Sequence, residues 1–121
     1  MIFGIGFDLV EIDRVRRSCE RQHFLEKVYT EKEREEIMKD SKRAASDFAG
    51  KEAVVKMFGT GFSAGISAGD IEILRRKSGQ PYVILYGAAR KFAQENGIQT
   101  IHISITNTKE LAGAYVIGEM E

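Results

Sequence analysis

Cysteine and proline each occur once in this 121-residue chain, and tryptophan is absent. A lone cysteine, Cys19, excludes an intrachain disulfide and any zinc site built from several thiolates. It fits a reducing cytoplasm. Its arginine neighbours would lower its pKa, but no base stands beside it, so it reads as an inert thiol. Net charge is also missing: 18 basic residues balance 18 acidic ones. No global field therefore draws the chain to nucleic acid or to a membrane, and charge-based recognition must come from a local patch. No apolar run approaches the roughly 20 residues that span a bilayer. The start, Met1 to Asp8, lacks a basic segment and meets a charge too early for a signal peptide. The two histidines, His23 and His102, stand far apart and outside any ligand or catalytic spacing, so no Ser-His-Asp arrangement is available. No repeat, linker or low-complexity segment divides the chain, which reads as one domain over 1–121. So small a domain has little room for a deep pocket of its own, which directs attention to sites between subunits.

What is present is concentrated in one helix-sized segment, Phe48-Ala49-Gly50-Lys51-Glu52-Ala53-Val54-Val55-Lys56-Met57-Phe58-Gly59-Thr60-Gly61. On a helix, Glu52 and Lys56 are one turn apart on one face, with the acid on the N-terminal side. Ala45, Phe48 and Ala49 flank them, whereas Arg43, Asp47 and Gly50 lie on the far side of the wheel. Charges among apolar and small neighbours are costly without a partner. The pair serves either as a helix-stabilising ion pair or as a site for a metal and a phosphate. Gly59-Thr60-Gly61 stops the helix and lets backbone approach a ligand closely. The loop from Gly59 to Gly69 lacks the Gly-Lys-Ser/Thr ending of a Walker phosphate loop.

Residues 2–10 alternate as a strand, with Phe3, Ile5, Phe7 and Leu9 expected toward the core and Gly4, Gly6 and Asp8 on the other face. Strand glycines mark either a bulge or a close approach by another group. Residues 11–29 read as helical with a break near Gln22-His23, and Arg14, Arg17 and Arg21 form a basic stripe. That stripe is either a solvated face or a docking surface for an acidic partner. Thr30-Glu31-Lys32-Glu33 is a capping box opening a helix with Ile37 and Met38 inward. Ile71–Leu74 and Tyr82–Leu85 form a hairpin whose entry holds Pro81, where a missing donor is tolerated. A helix over Ala88–Asn96 is capped at Asn96-Gly97. A closing hairpin pairs the strand carrying Ile101, Ile103 and Ile105 with the strand over Ala112–Ile117. Hairpins imply antiparallel pairing, so the class is α+β. Asp8 and Glu52 could supply the one or two carboxylates of a magnesium site, and Lys56 could neutralise a phosphate oxygen.

In combination these segments resemble the holo-acyl-carrier-protein synthases, a family of 4′-phosphopantetheinyl transferases. The likeness runs through Gly4-Ile5-Gly6-Phe7-Asp8 with Ile12 and Arg14, Phe48-Ala49-Gly50-Lys51-Glu52-Ala53 with Lys56 and Gly59-Thr60-Gly61, Gly79-Gln80-Pro81, and His102-Ile103-Ser104-Ile105-Thr106-Asn107-Thr108. The resemblance implies an antiparallel sheet packed against helices in a cytoplasmic homotrimer with sites between subunits. It also implies transfer of the phosphopantetheine arm of coenzyme A to a serine of apo acyl carrier protein, for fatty acid biosynthesis. By the same likeness, Asp8 and Glu52 match magnesium ligands, and Lys56 matches a lysine at the phosphates. Gly59, Gly61 and Pro81 line the nucleotide site, Ser104 and Thr106 its far wall, and Arg14, Arg17 and Arg21 dock the carrier. Where the family usually has an arginine and a histidine toward the nucleotide 3′-phosphate, this chain has Asp47 and Asn107. The expectation is a working enzyme with a rearranged, weakened 3′-phosphate contact, compensated by Lys42, Arg43 or Lys51.

Overall fold

The computed structural model describes residues 1–121. The chain order is β1 (Ile2–Glu11), α1 (Ile12–Ser18), α2 (Gln22–Val28), α3 (Glu31–Lys39), α4 (Arg43–Phe58), a one-turn 3₁₀ segment (Ala68–Asp70), β2 (Ile71–Arg75), β3 (Pro81–Leu85), α5 (Gly87–Glu95), β4 (Ile98–Asn107) and β5 (Leu111–Met120). Both expected hairpins form. β2 and β3 pair antiparallel as a two-stranded sheet, and β4 pairs antiparallel with β5, which also takes β1, in the order β1-β5-β4.

Helix α4 is the centre of the molecule. Its small residues let other backbone come close: Ala49 and Ala53 are fully buried. A Cβ on Gly6 would overlap the Ala53 carbonyl, and one on Gly4 would overlap that of Met57. Of the two readings of these strand glycines, close approach is the one the structure supports, and the approaching group is the helix. This reverses the expected strand faces. Gly4, Gly6 and Asp8 face α4, while Ile5, Phe7 and Leu9 are exposed on the opposite side. A register shift between Ile2 and Gly4 still turns Phe3 inward against Phe92. The helix wheel is corrected too. Asp47 and Gly50, on the far side of the wheel from Glu52 and Lys56, are buried together with Lys51, because β2 and α3 cover that side. The open strip of α4 is Phe48–Glu52–Lys56.

The main core joins α4 to Ile71, Ile73, Ala114, Val116 and α5, with Phe58 stacked on Phe92. A smaller core holds Ile12, Val15, Val28, Tyr29 and Ile37 beneath α1–α3. Thr30 and Glu33 form the expected capping box. Ile37 points inward as expected, but Met38 is solvent-exposed, because the 9-residue helix α3 buries only a narrow stripe. The break between α1 and α2 falls at Cys19–Arg21. The left-handed stops are Gly59 (φ 82°) and Gly97 (φ 71°). No helix is long and apolar enough to cross a membrane.

Candidate active site

The sheet-to-helix contact allowed by Gly6 places the end of β1 over the middle of α4. Asp8 and Glu52, 44 residues apart in sequence, thereby line one cavity of about 470 Å³ together with Arg14, Phe24 and Phe48. Lys56 Nζ donates to Asp8 Oδ1 at 2.9 Å and to the Phe7 carbonyl at 3.2 Å. Burial raises the pKa of Glu52, the Asp8 carboxylate raises it further, and Lys56 opposes both. Glu52 also borders a second cavity of about 340 Å³, lined by Lys27, Phe48, Phe62, Ile66 and Ser67. Asp8 and Glu52 therefore share one cavity, and Lys56 stands beside them through its contact with Asp8. Two carboxylates on an open cavity fit magnesium, which binds through one or two carboxylates and fills its remaining positions with water and substrate oxygens. No cluster of three metal-ligating side chains is present, so the set suits an ion held jointly with a ligand and not a closed protein cage.

Behind this strip lies a buried polar network that sequence reasoning missed. Lys51, fully buried, donates to Glu33 Oε1 at 2.8 Å, to the Ala68 carbonyl at 2.9 Å and to the Ile71 carbonyl. Glu33 Oε2 accepts from the Ile73 amide at 2.8 Å. Lys51 is thus unavailable to any ligand, which removes it from the expected compensating cations. Glu33 was legible as a capping residue, but its second role required α3, α4 and β2 to meet.

A third cavity, about 270 Å³, is lined by Lys42, Arg43, Ser46, Arg75, Gly79, Pro81 and Asn107 among others. Asp47 does not face it as a free acid. Its carboxylate is 1% exposed and ion-pairs with Arg75 through Oδ1, while Oδ2 has no hydrogen-bond partner. Burial pushes the Asp47 carboxyl up to about 7 against the opposing pull of Arg75. Asn107 donates to Ser46 Oγ at 2.7 Å, so it too is tied to α4. Arg75 was not singled out in the sequence, since nothing local marks a residue at the end of β2 as the partner of Asp47.

Ser104 and Thr106 stand apart from all of these. They lie on the opposite face of the sheet, in rows set by register: Phe7–Tyr115–Ser104 and Leu9–Gly113–Thr106. Together with Thr108 and Leu111 they border a shallow cavity of about 200 Å³. Gly59 and Gly61 follow Lys56 at the end of α4, both with positive φ. Arg14 reaches the carboxylate cavity, whereas Arg17 and Arg21 are exposed beside it in sequence, Arg21 over the ring of Phe24. His102 is exposed, beside Glu119 at 2.9 Å. Cys19 is a free thiol whose pKa burial raises, in keeping with the inert reading.

The family model of the 4′-phosphopantetheinyl transferase superfamily matches residues 4–117. A holo-acyl-carrier-protein synthase of Lachnoclostridium phytofermentans is 59% identical over 120 residues, which cover 99% of this chain and 98% of that protein. Among solved structures, the Plasmodium yoelii acyl carrier protein synthase with ADP bound superposes with a TM-score of 0.89 at 34% identity, covering 100% of this chain and 97% of that one. The Helicobacter pylori holo-acyl-carrier-protein synthase in complex with coenzyme A superposes with a TM-score of 0.83 at 28% identity, covering 95% and 99%. Sequence match, fold and the converging carboxylate pair agree over nearly the full length, and the chain belongs to the 4′-phosphopantetheinyl transferase superfamily.

Proposed function

We propose that residues 1–121 act as one holo-acyl-carrier-protein synthase domain, moving the phosphopantetheine arm of coenzyme A to a serine of an apo acyl carrier protein. The observation that carries this reading is that Asp8 and Glu52 line one open cavity, with Lys56 ion-paired to Asp8. The carrier serine oxygen forms a bond to the β-phosphorus, the phosphoanhydride bond breaks, and adenosine 3′,5′-bisphosphate leaves with the bonding pair. Asp8 and Glu52 are the residues that would hold magnesium, which would offset charge on the pyrophosphate. Lys56 supplies a cation for the phosphate oxygens. The serine proton would pass to Glu52 or to water in the same cavity.

Gly59 and Gly61 leave open space beside the phosphates, since an added Cβ at either would meet nothing within 4 Å. The cavity bordered by Pro81 and Asn107 takes the nucleotide end, with Lys42, Arg43 and Arg75 as cations for the 3′-phosphate. Arg14, Arg17 and Arg21 form the docking surface for the acidic carrier. Ser104 and Thr106 face away from Asp8 and Glu52, so they reach a nucleotide only if it lies between protomers. The same sheet face carries exposed Ile5, Phe7, Leu9 and Tyr115, an apolar patch suited to a neighbouring subunit. Both observations support sites at interfaces between subunits, and the family resemblance makes that assembly a homotrimer. The reaction belongs to the cytoplasm and serves fatty acid biosynthesis.

The test is intact mass spectrometry of apo acyl carrier protein incubated with this protein, coenzyme A and magnesium. The expected result is a gain of one phosphopantetheine, lost with EDTA and lost in Glu52→Gln. No gain, while a known synthase modifies the same carrier, would overturn the reading. Full activity in Glu52→Gln would overturn the assigned site.

A further inference from the structure

Lys56 does something in the structure that a plain phosphate ligand need not do: it occupies Asp8. Its ammonium contacts Asp8 Oδ1 at 2.9 Å and the Phe7 carbonyl at 3.2 Å, both within β1. A divalent cation taking that oxygen would meet a positive charge already in contact with it, and two cations at such a distance repel strongly. One of them must leave. Asp8 is held on a paired strand and its side chain is 14% exposed, whereas the Lys56 side chain is 53% exposed. Lysine is a compact charge on a flexible four-carbon stem. Glu52, one turn earlier on the same open strip, has no ion-pair partner to release. The movable element of the site is therefore Lys56.

We infer that Lys56 is a displaceable counter-ion that couples metal binding to donor binding. It neutralises Asp8 while the site holds no ligand, yields Asp8 to the divalent cation, and turns to the donor's pyrophosphate. This rests on the transferase reading above. By linkage, an ion that frees the ammonium improves the site for a phosphate donor, and the donor, by holding the ammonium away, improves the site for the ion to the same degree. The lysine opposes the metal when the donor is absent and supports the complex when it is present.

The experiment is Mn²⁺ binding to the full chain followed by electron paramagnetic resonance, with and without coenzyme A, corrected for Mn²⁺ held by coenzyme A in solution. Wild type, Lys56→Met, Lys56→Gln and Asp8→Asn are compared. Without coenzyme A, both Lys56 variants should bind Mn²⁺ about tenfold more tightly than wild type, the scale on which a contacting charge shifts a carboxylate's affinity for a cation. With coenzyme A saturating, the donor holds the ammonium away in wild type, so the gap should close and the variants and wild type should bind Mn²⁺ alike. Unchanged or weaker Mn²⁺ binding in both variants without coenzyme A would overturn the inference, as would tighter binding in both conditions alike. The arms separate two kinds of failure. Mn²⁺ bound by wild type and lost in Asp8→Asn, with no tightening in the Lys56 variants, sinks the counter-ion role alone. No binding by wild type, or full binding by Asp8→Asn, sinks the metal assignment and the inference with it.

Discussion

Asp47 is a carboxylate with 1% exposure, one oxygen on Arg75 and the other on nothing. Taking such a group from water disfavours its charged form, and the guanidinium recovers only part of that cost. Its pKa stands at about 7 in the folded chain against an ordinary 3.8. Between those values the folded chain holds a proton that the unfolded chain has lost, so stability falls as pH rises through that window and levels off above about 7. Asp47→Asn removes this titration. Denaturant unfolding of the two proteins across pH 4 to 8 should show the variant gaining on wild type as pH rises to about 7, whatever the offset from the altered Arg75 contact. A difference independent of pH would refute it. Arg43, on the cavity bordered by Arg75, Pro81 and Asn107, is half-buried and only loosely paired with Glu36 at 3.4 Å. If that cavity takes the 3′-phosphate, Arg43→Ala should narrow the preference for coenzyme A over 3′-dephospho-coenzyme A by about tenfold or more, the loss of one charge-assisted hydrogen bond. Equal loss of activity with both donors, leaving their ratio unchanged, would place the phosphate elsewhere.

Two contacts between elements hold the site together. The first is β1 on α4, where Gly6 has no space for a Cβ. Gly6→Ala must push the strand off the helix, at a cost of about 1–3 kcal/mol or more for overpacking. Because Asp8 is two residues on, the same displacement separates it from Glu52. The variant should lose several degrees of melting temperature and most transfer activity, measured by thermal unfolding and the carrier mass shift. Wild-type activity in Gly6→Ala would show that the strand position is not critical. The second contact is Glu33 with Lys51, joining α3, α4 and the start of β2. Breaking a buried pair by removing one partner costs about 3–5 kcal/mol, because a charge is left uncompensated. Lys51, beside Glu52 in sequence, thus anchors the back of α4 while its neighbour faces the cavity.

On the scale of the molecule, the sheet has one face on α4 and one face bare. Phe7, Leu9 and Tyr115 are 55%, 56% and 44% exposed on the bare face, which makes it the apolar side of the sheet. Phe7 packs on Tyr115 with ring centroids 6.1 Å apart, so the patch is preformed. If subunits associate there, Phe7→Glu should convert an oligomer to monomers in analytical ultracentrifugation. Transfer activity should fall with it, since Ser104 and Thr106 share that face. Wild type sedimenting as a monomer, or an active monomeric variant, would remove the intersubunit site.

Much was legible in the linear chain because the signals were local. The capping box at Thr30–Glu33, the glycine stop at Gly59, both hairpins and the one-turn spacing of Glu52 and Lys56 depend on neighbours within a few residues. The α+β class followed from them, and the motif order brought out the family. Orientation was not legible. Alternation in β1 shows that two faces differ, but not which one meets the core, and the apolar face proved to be the bare one because only glycine admits a helix backbone so closely. Asp47, Lys51 and Arg75 were equally opaque. A charge is normally solvated, and its burial becomes tolerable only when a distant element delivers its partner. Those deliveries, Arg75 from β2 to Asp47 and Glu33 from α3 to Lys51, exist once the chain has folded and leave no pattern in the sequence around either residue.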